Sequence, residues 1–242
     1  MKKLFVILFV ALFTSFIPDK AFCEAFSYDE VFIDNGITMD NIWKKLGKRE
    51  EKINLVGSRL LNENKISKRV FFKLEKGNYI VNASAKYTDK QVTVYAGLLN
   101  YVDNDDELAA VLAHEIAHDM DFYKGFGQKF VMAFNKKSYE YKADLEGIDY
   151  MVKAGYNPVA MITIMNKIGN ESVWDWGGST SHPKTSKRLM KDYEYIYKKY
   201  PNYLKSDMTK SIYYKTWVNT AEKDIKKFEQ REKERASQRE SL

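Results

Sequence analysis

Cysteine is nearly absent: Cys23 stands alone in 242 residues. A lone thiol cannot close an internal disulfide, so stability has to come from core packing. Histidine is almost as scarce, with three residues, His114, His118 and His182. After the N-terminal region there is no apolar run long enough to span a bilayer, so the mature domain is expected to be soluble. There is no arginine cluster and no nucleic-acid motif. The net charge of +6 therefore reads as a solubilising excess, with weak attraction to acidic surfaces such as phospholipid headgroups. Peripheral membrane association follows as an expectation, and nucleic acid is not an expected partner. No repeat of solenoid period is present.

What remains is an ordinary globular balance of 45% apolar and 30% charged residues, enough for one domain with a real core. Residues 1–25 read as an export signal. Lys2 and Lys3 precede the apolar run Leu4–Ile17, and Pro18 and the small residues near Ala21, Cys23 and Ala25 follow. Cleavage after Cys23 or Ala25 is expected, with an uncleaved signal acting as an anchor as the alternative. Lys20-Ala21-Phe22 makes a poor lipobox before Cys23. The expected division is a signal at 1–25, a main domain at 26–204, and a C-terminal helix with a charged tail at 205–242.

Helical spacing begins at Asn41 and runs to about Asn62, with Gly47 and Gly57 as candidate breaks. Val70–Leu74, Tyr79–Val81 and Gln91–Tyr95 read as strands of a small antiparallel sheet. Asn104, followed by Glu107 three residues on, reads as a capping box opening a helix that runs to about Tyr123. A second helix is expected from Lys136 to Ala154, capped by Gly155. Asn157-Pro158 opens a third, ending near Gly169. Later helices are expected at Ser186–Tyr200 and 208–230, with a frayed charged end.

His114-Glu115-Ile116-Ala117-His118 places two imidazoles one helical turn apart, where both reach one metal ion. A zinc hydrolase uses three protein ligands and keeps a fourth position for water. His182 is the remaining histidine, but among the carboxylates Glu140 stands out, with Asp144 one turn later on the same face. Glu140 as third ligand, with Asp144 holding the N–H of a liganding imidazole, would complete the site. Gly147 would let the two helices approach closely. Glu115 would act as general base on the water, attack a scissile carbonyl through it, and return the proton to the leaving amine.

At these residues the chain resembles a known family. Leu108–His118 is similar to the metal helix of the family that contains HtpX and the CAAX prenyl protease, zinc metallopeptidases of the gluzincin type. Glu140-Tyr141-Lys142-Ala143-Asp144 resembles its E-x-x-A-D motif, and Gly155–Met161 its G-Y-x-P-x-A-M element. His182-Pro183 with Arg188 resembles its H-P-x-x-x-x-R motif, and Asn82-Ala83 the pair before its edge strand. The segment Ser84–Lys90 departs from the usual glycine-containing turn. The resemblance covers about Ile53 to Leu189. It implies an α+β, mainly helical zincin-like domain with one zinc ion per chain, held by His114, His118 and Glu140. It also implies that His182 and Arg188 lie at the active site, facing substrate or the reacting oxyanion. His182 could also fill the open metal position in a resting state.

The expected function is a zinc metalloendopeptidase of the soluble, exported branch, acting on peptides or unfolded proteins in the periplasm or cell envelope. Gln91–Tyr95 would offer backbone groups to an extended substrate. The rivals are a zinc amidase of another substrate and a chaperone-like protein that holds zinc without turnover. Glu115 argues against the last, since a pure binding site has no need of a base.

Overall fold

The computed structural model describes residues 39–77, 80–86, 88–122, 136–169 and 185–240. The expected signal at 1–25 and His182 fall outside them.

Helix α1, Met39–Glu63, runs unbroken through Gly47 and Gly57. It buries Ile53, Val56 and Leu60, a stripe at three- and four-residue spacing. Three short strands follow: β1 Phe71–Glu75, β2 Ala83–Lys86 and β3 Gln91–Tyr95. Their spatial order is β1-β3-β2. Phe72, Leu74, Val92 and Val94 are buried in the shared core. Alternation along β1 puts Phe71 and Lys73 on the open face. α1 packs against β1.

The sheet departs from the sequence reading in two ways. The second strand lies at Ala83–Lys86, while Ile80 and Val81 belong to no strand. The sheet is also mixed: β2 pairs antiparallel with β3, but β1 pairs with it in parallel. β3 is therefore the central strand rather than an edge. The physical reason is that pairing is non-local. Short alternating runs identify strands but not their neighbours.

A 3₁₀ turn at Ala96–Asn100 leads into helix α2, Asp105–Phe122. The expected cap forms. The Glu107 N–H donates to Asn104 Oδ1 at 3.0 Å, and the Glu107 carboxylate accepts from the Asp103 N–H at 2.9 Å. The same carboxylate takes the Lys167 ammonium at 2.6 Å and the Thr163 hydroxyl at 2.9 Å. Lys167 also donates to the Tyr101 carbonyl. This buried ion pair ties the start of α2 to helix α4, Val159–Gly169, along which every residue from Val159 to Ile168 is buried.

Between them in the chain lies helix α3, Lys136–Lys153. It ends as Gly155 turns to φ +76°. The Tyr156 N–H reaches back to the Met151 carbonyl and the Gly155 N–H to Val152, the paired bonds of a Schellman cap. Asn157 then caps α4, accepting from the Val159 N–H at 3.0 Å. Helices α5, Thr185–Lys199, and α6, Ile212–Glu240, close the domain. Tyr193 packs against Trp217 and Phe228, and its hydroxyl donates to Glu229 at 2.6 Å. The charged end expected to fray from Glu229 is helical to Glu240. Among the described residues, no helix is long and apolar enough to cross a membrane.

Candidate metal centre

α2 and α3 lie side by side, and their contact is the site. His114 and His118, one turn apart on α2, set their rings edge to face at 4.5 Å. Their Nε2 atoms are 3.0 Å apart. Glu140 on α3 brings Oε1 to 3.3 Å from His118 Nε2 and Oε2 to 3.5 Å from His114 Nε2. Ligands about 2.1 Å from a tetrahedral zinc ion are separated by about 3.4 Å. The observed spacings match, and the set of two imidazoles and one carboxylate is a common zinc donor set. The three residues fit one zinc ion.

A buried ion network holds these donors. His114 Nδ1 lies 2.8 Å from Asp144 Oδ1, which assigns the proton to Nδ1 and leaves Nε2 for the metal. Burial by itself would lower the His114 pKa, but the carboxylates of Asp144 and Glu140 outweigh it and raise it to about 10. The two carboxylates thus make the pocket favourable to a cation. Asp144 is fully buried. Arg188, on α5, clamps it with a two-pronged hydrogen bond: Nε donates to Oδ2 at 2.7 Å and Nη2 to Oδ1 at 2.6 Å. Arg188 Nη1 also lies 3.2 Å from Glu140 Oε2. Burial would raise the Asp144 pKa, yet the guanidinium and His114 bring it down to about 2. One turn beyond Arg188, the buried Asp192 carboxyl is pushed well above the usual range, by burial first and then by Asp144.

Gly147 sets how closely the helices approach. A Cβ there would lie 3.2 Å from the His114 nitrogen, 3.3 Å from the Ala113 carbonyl carbon and 3.1 Å from Met161 Cε. Two of these neighbours are backbone, which yields little. Gly147→Ala is expected to push α3 off α2 at the first ligand. It should cost about 1–3 kcal/mol of stability, the usual range for overpacking, and weaken metal binding. Thermal unfolding of the metal-free variant at the wild-type temperature would contradict this.

The structure brings five of the sequence-derived candidates together: His114, His118, Glu140, Asp144 and Arg188. Glu115 lies between the two histidines on α2 and is 4% exposed. Arg188 is 6% exposed and faces the Asp144 and Glu140 carboxylates. Two residues at the site escaped the sequence reading. Tyr139 stacks on His118, and its only local signal is that it adjoins Glu140. Asp192 stands one turn after Arg188, but nothing in the sequence shows that this face of α5 is buried.

A helix bearing H-E-x-x-H, joined by a glutamate from the next helix, presents the donor set of a gluzincin-type zinc site. The chain belongs to peptidase family M48, whose model matches residues 47–122 and 120–192. It is also similar to the mitochondrial metalloendopeptidase OMA1 of Arabidopsis thaliana, at 28% identity over 140 residues, covering 45% of this chain and 28% of that one. The chain thus matches little more than a quarter of that relative's length.

Proposed function

We propose that the protein is a zinc-dependent metalloendopeptidase that cleaves peptides or unfolded proteins. The observation that carries this reading is the spacing of His114, His118 and Glu140 donors at zinc-ligand distances beside Glu115. Bound zinc supplies a water that is acidic near neutral pH and polarises a carbonyl. With the metal in place, Glu115 would accept a proton from water at the site and pass it to the leaving amine. Asp144 fixes the His114 tautomer, and Arg188 offsets the negative charge of Asp144 and Glu140. His182 is assigned to the substrate side, on the family resemblance alone.

The substrate wall moves from β3 to β2. β2 packs against α2, and no other described strand pairs with its outer edge. The Tyr95 N–H donates to the Asn82 carbonyl. Alternation then turns Ser84 toward β3 and leaves the backbone groups of Ala83 and Ala85 facing outward. An extended peptide adding to this edge would lie along the ligand helix. Export to the cell envelope is part of the proposal, supported by Lys2, Lys3 and the apolar run Leu4–Ile17.

The test is digestion of an unfolded protein by the purified chain. Cleavage at internal bonds is expected, lost with a chelator and restored by about one equivalent of zinc. Zinc uptake without any peptide cleavage would favour the silent, chaperone-like rival.

A further inference from the structure

The two histidines are held by different means. His114 has the Asp144 carboxylate against Nδ1 at 2.8 Å. Both Nδ1 atoms are buried without a well-aligned hydrogen bond among the described residues, but His114 Nδ1 has a carboxylate against it and His118 Nδ1 has none there. A histidine's outer side-chain torsion is soft, so a ring with no such partner needs another restraint to hold its Nε2 in place. Tyr139 is placed to supply one. Its ring lies over the His118 imidazole, with centroids 4.6 Å apart and planes 35° apart. Its hydroxyl donates to the His118 carbonyl at 3.0 Å. One turn of α3 therefore presents both Glu140 and the group that touches the second histidine.

We propose that Tyr139 is the positioning residue for His118, holding the imidazole plane by ring contact as the Asp144 carboxylate holds His114 by charge contact. The phenol is engaged by backbone and acts through the ligand, not on the substrate. This rests on reading His114, His118 and Glu140 as the zinc site.

The test compares wild type with Tyr139→Phe, Tyr139→Leu and Tyr139→Ala. It reads zinc affinity by chelator competition, the visible spectrum of the cobalt-loaded protein, and thermal unfolding of the metal-free chain. The phenylalanine variant keeps the ring and should bind zinc within about threefold of wild type, with the same cobalt bands. The leucine and alanine variants should bind about tenfold or more weakly and shift the bands, the range seen when a ligand's outer support is lost. The leucine variant keeps most of the volume and guards against a simple folding defect. Leucine and alanine variants with wild-type affinity and spectrum would overturn the proposal. So would a phenylalanine variant as weak as alanine, since the hydroxyl alone would then be the brace. Wild type that takes up no zinc would defeat the site reading as well, which separates the two failures.

Discussion

Replacing Glu115 with glutamine is expected to lower kcat/KM on an unfolded protein by about 10²–10⁴-fold, the usual contribution of a positioned proton acceptor. Zinc content should stay at the wild-type level. The amide fills the same buried space as the carboxylate, whose residue is 4% exposed. It cannot accept a proton, and it is not one of the three grouped donors. Loss of turnover with retained metal would separate the base from the ligands. Equal degradation by both proteins would remove Glu115 from the mechanism. Loss of zinc together with activity would mean that the side chain helps build the site rather than running the chemistry.

The second large effect is expected at Arg188. Its guanidinium is the cation clamped on the buried Asp144, and it also lies against Glu140. Arg188→Ala would remove the stronger of the two cations on a fully buried carboxylate and leave His114 alone against it, a change that costs up to about 3–5 kcal/mol. In a domain of this size that lowers Tm by roughly 6–20 °C. Asp144 would escape part of the cost by taking up a proton, since its low pKa depends on the guanidinium outweighing burial. His114 would then lose its anionic partner, and zinc affinity should fall as well. Arg188→Lys should recover only part of the loss, because an ammonium cannot make the two-pronged contact. The measurement is thermal unfolding of the metal-free variants with zinc affinity alongside. A variant of wild-type stability and affinity with lowered kcat would instead place Arg188 on the substrate side, as the family resemblance implies.

The contrast at Arg188 shows which parts of the molecule could be read in advance. Local chemistry was legible. Asn104 and Glu107 cap α2, Gly155 closes α3, and Asn157 starts α4, each through hydrogen bonds within a few residues. The metal donors were legible for the same reason: H-E-x-x-H is a spacing on one helix, and Glu140 with Asp144 is a spacing on another. What depended on distant pairing was not. The parallel match of Phe71 to Gln91 joins segments 20 residues apart, and no alternation pattern specifies it. Glu107 read as an N-terminal acid, yet it is buried against Lys167, 60 residues away. Arg188 could be placed at the site but not aimed, because its direction is set by α5 packing on α3. Tyr139 was hidden similarly, since its contact with His118 exists only once α3 lies on α2.

The central claim is that Glu140 joins His114 and His118 as the third zinc ligand. Metal content of purified wild type and Glu140→Ala, dialysed against a weak chelator, tests it most directly. Wild type should hold about one zinc per chain and the variant well under that, since two imidazoles alone do not complete a protein zinc site. A Glu140→Ala protein that keeps one zinc per chain at unchanged affinity would contradict the claim and move the third ligand elsewhere.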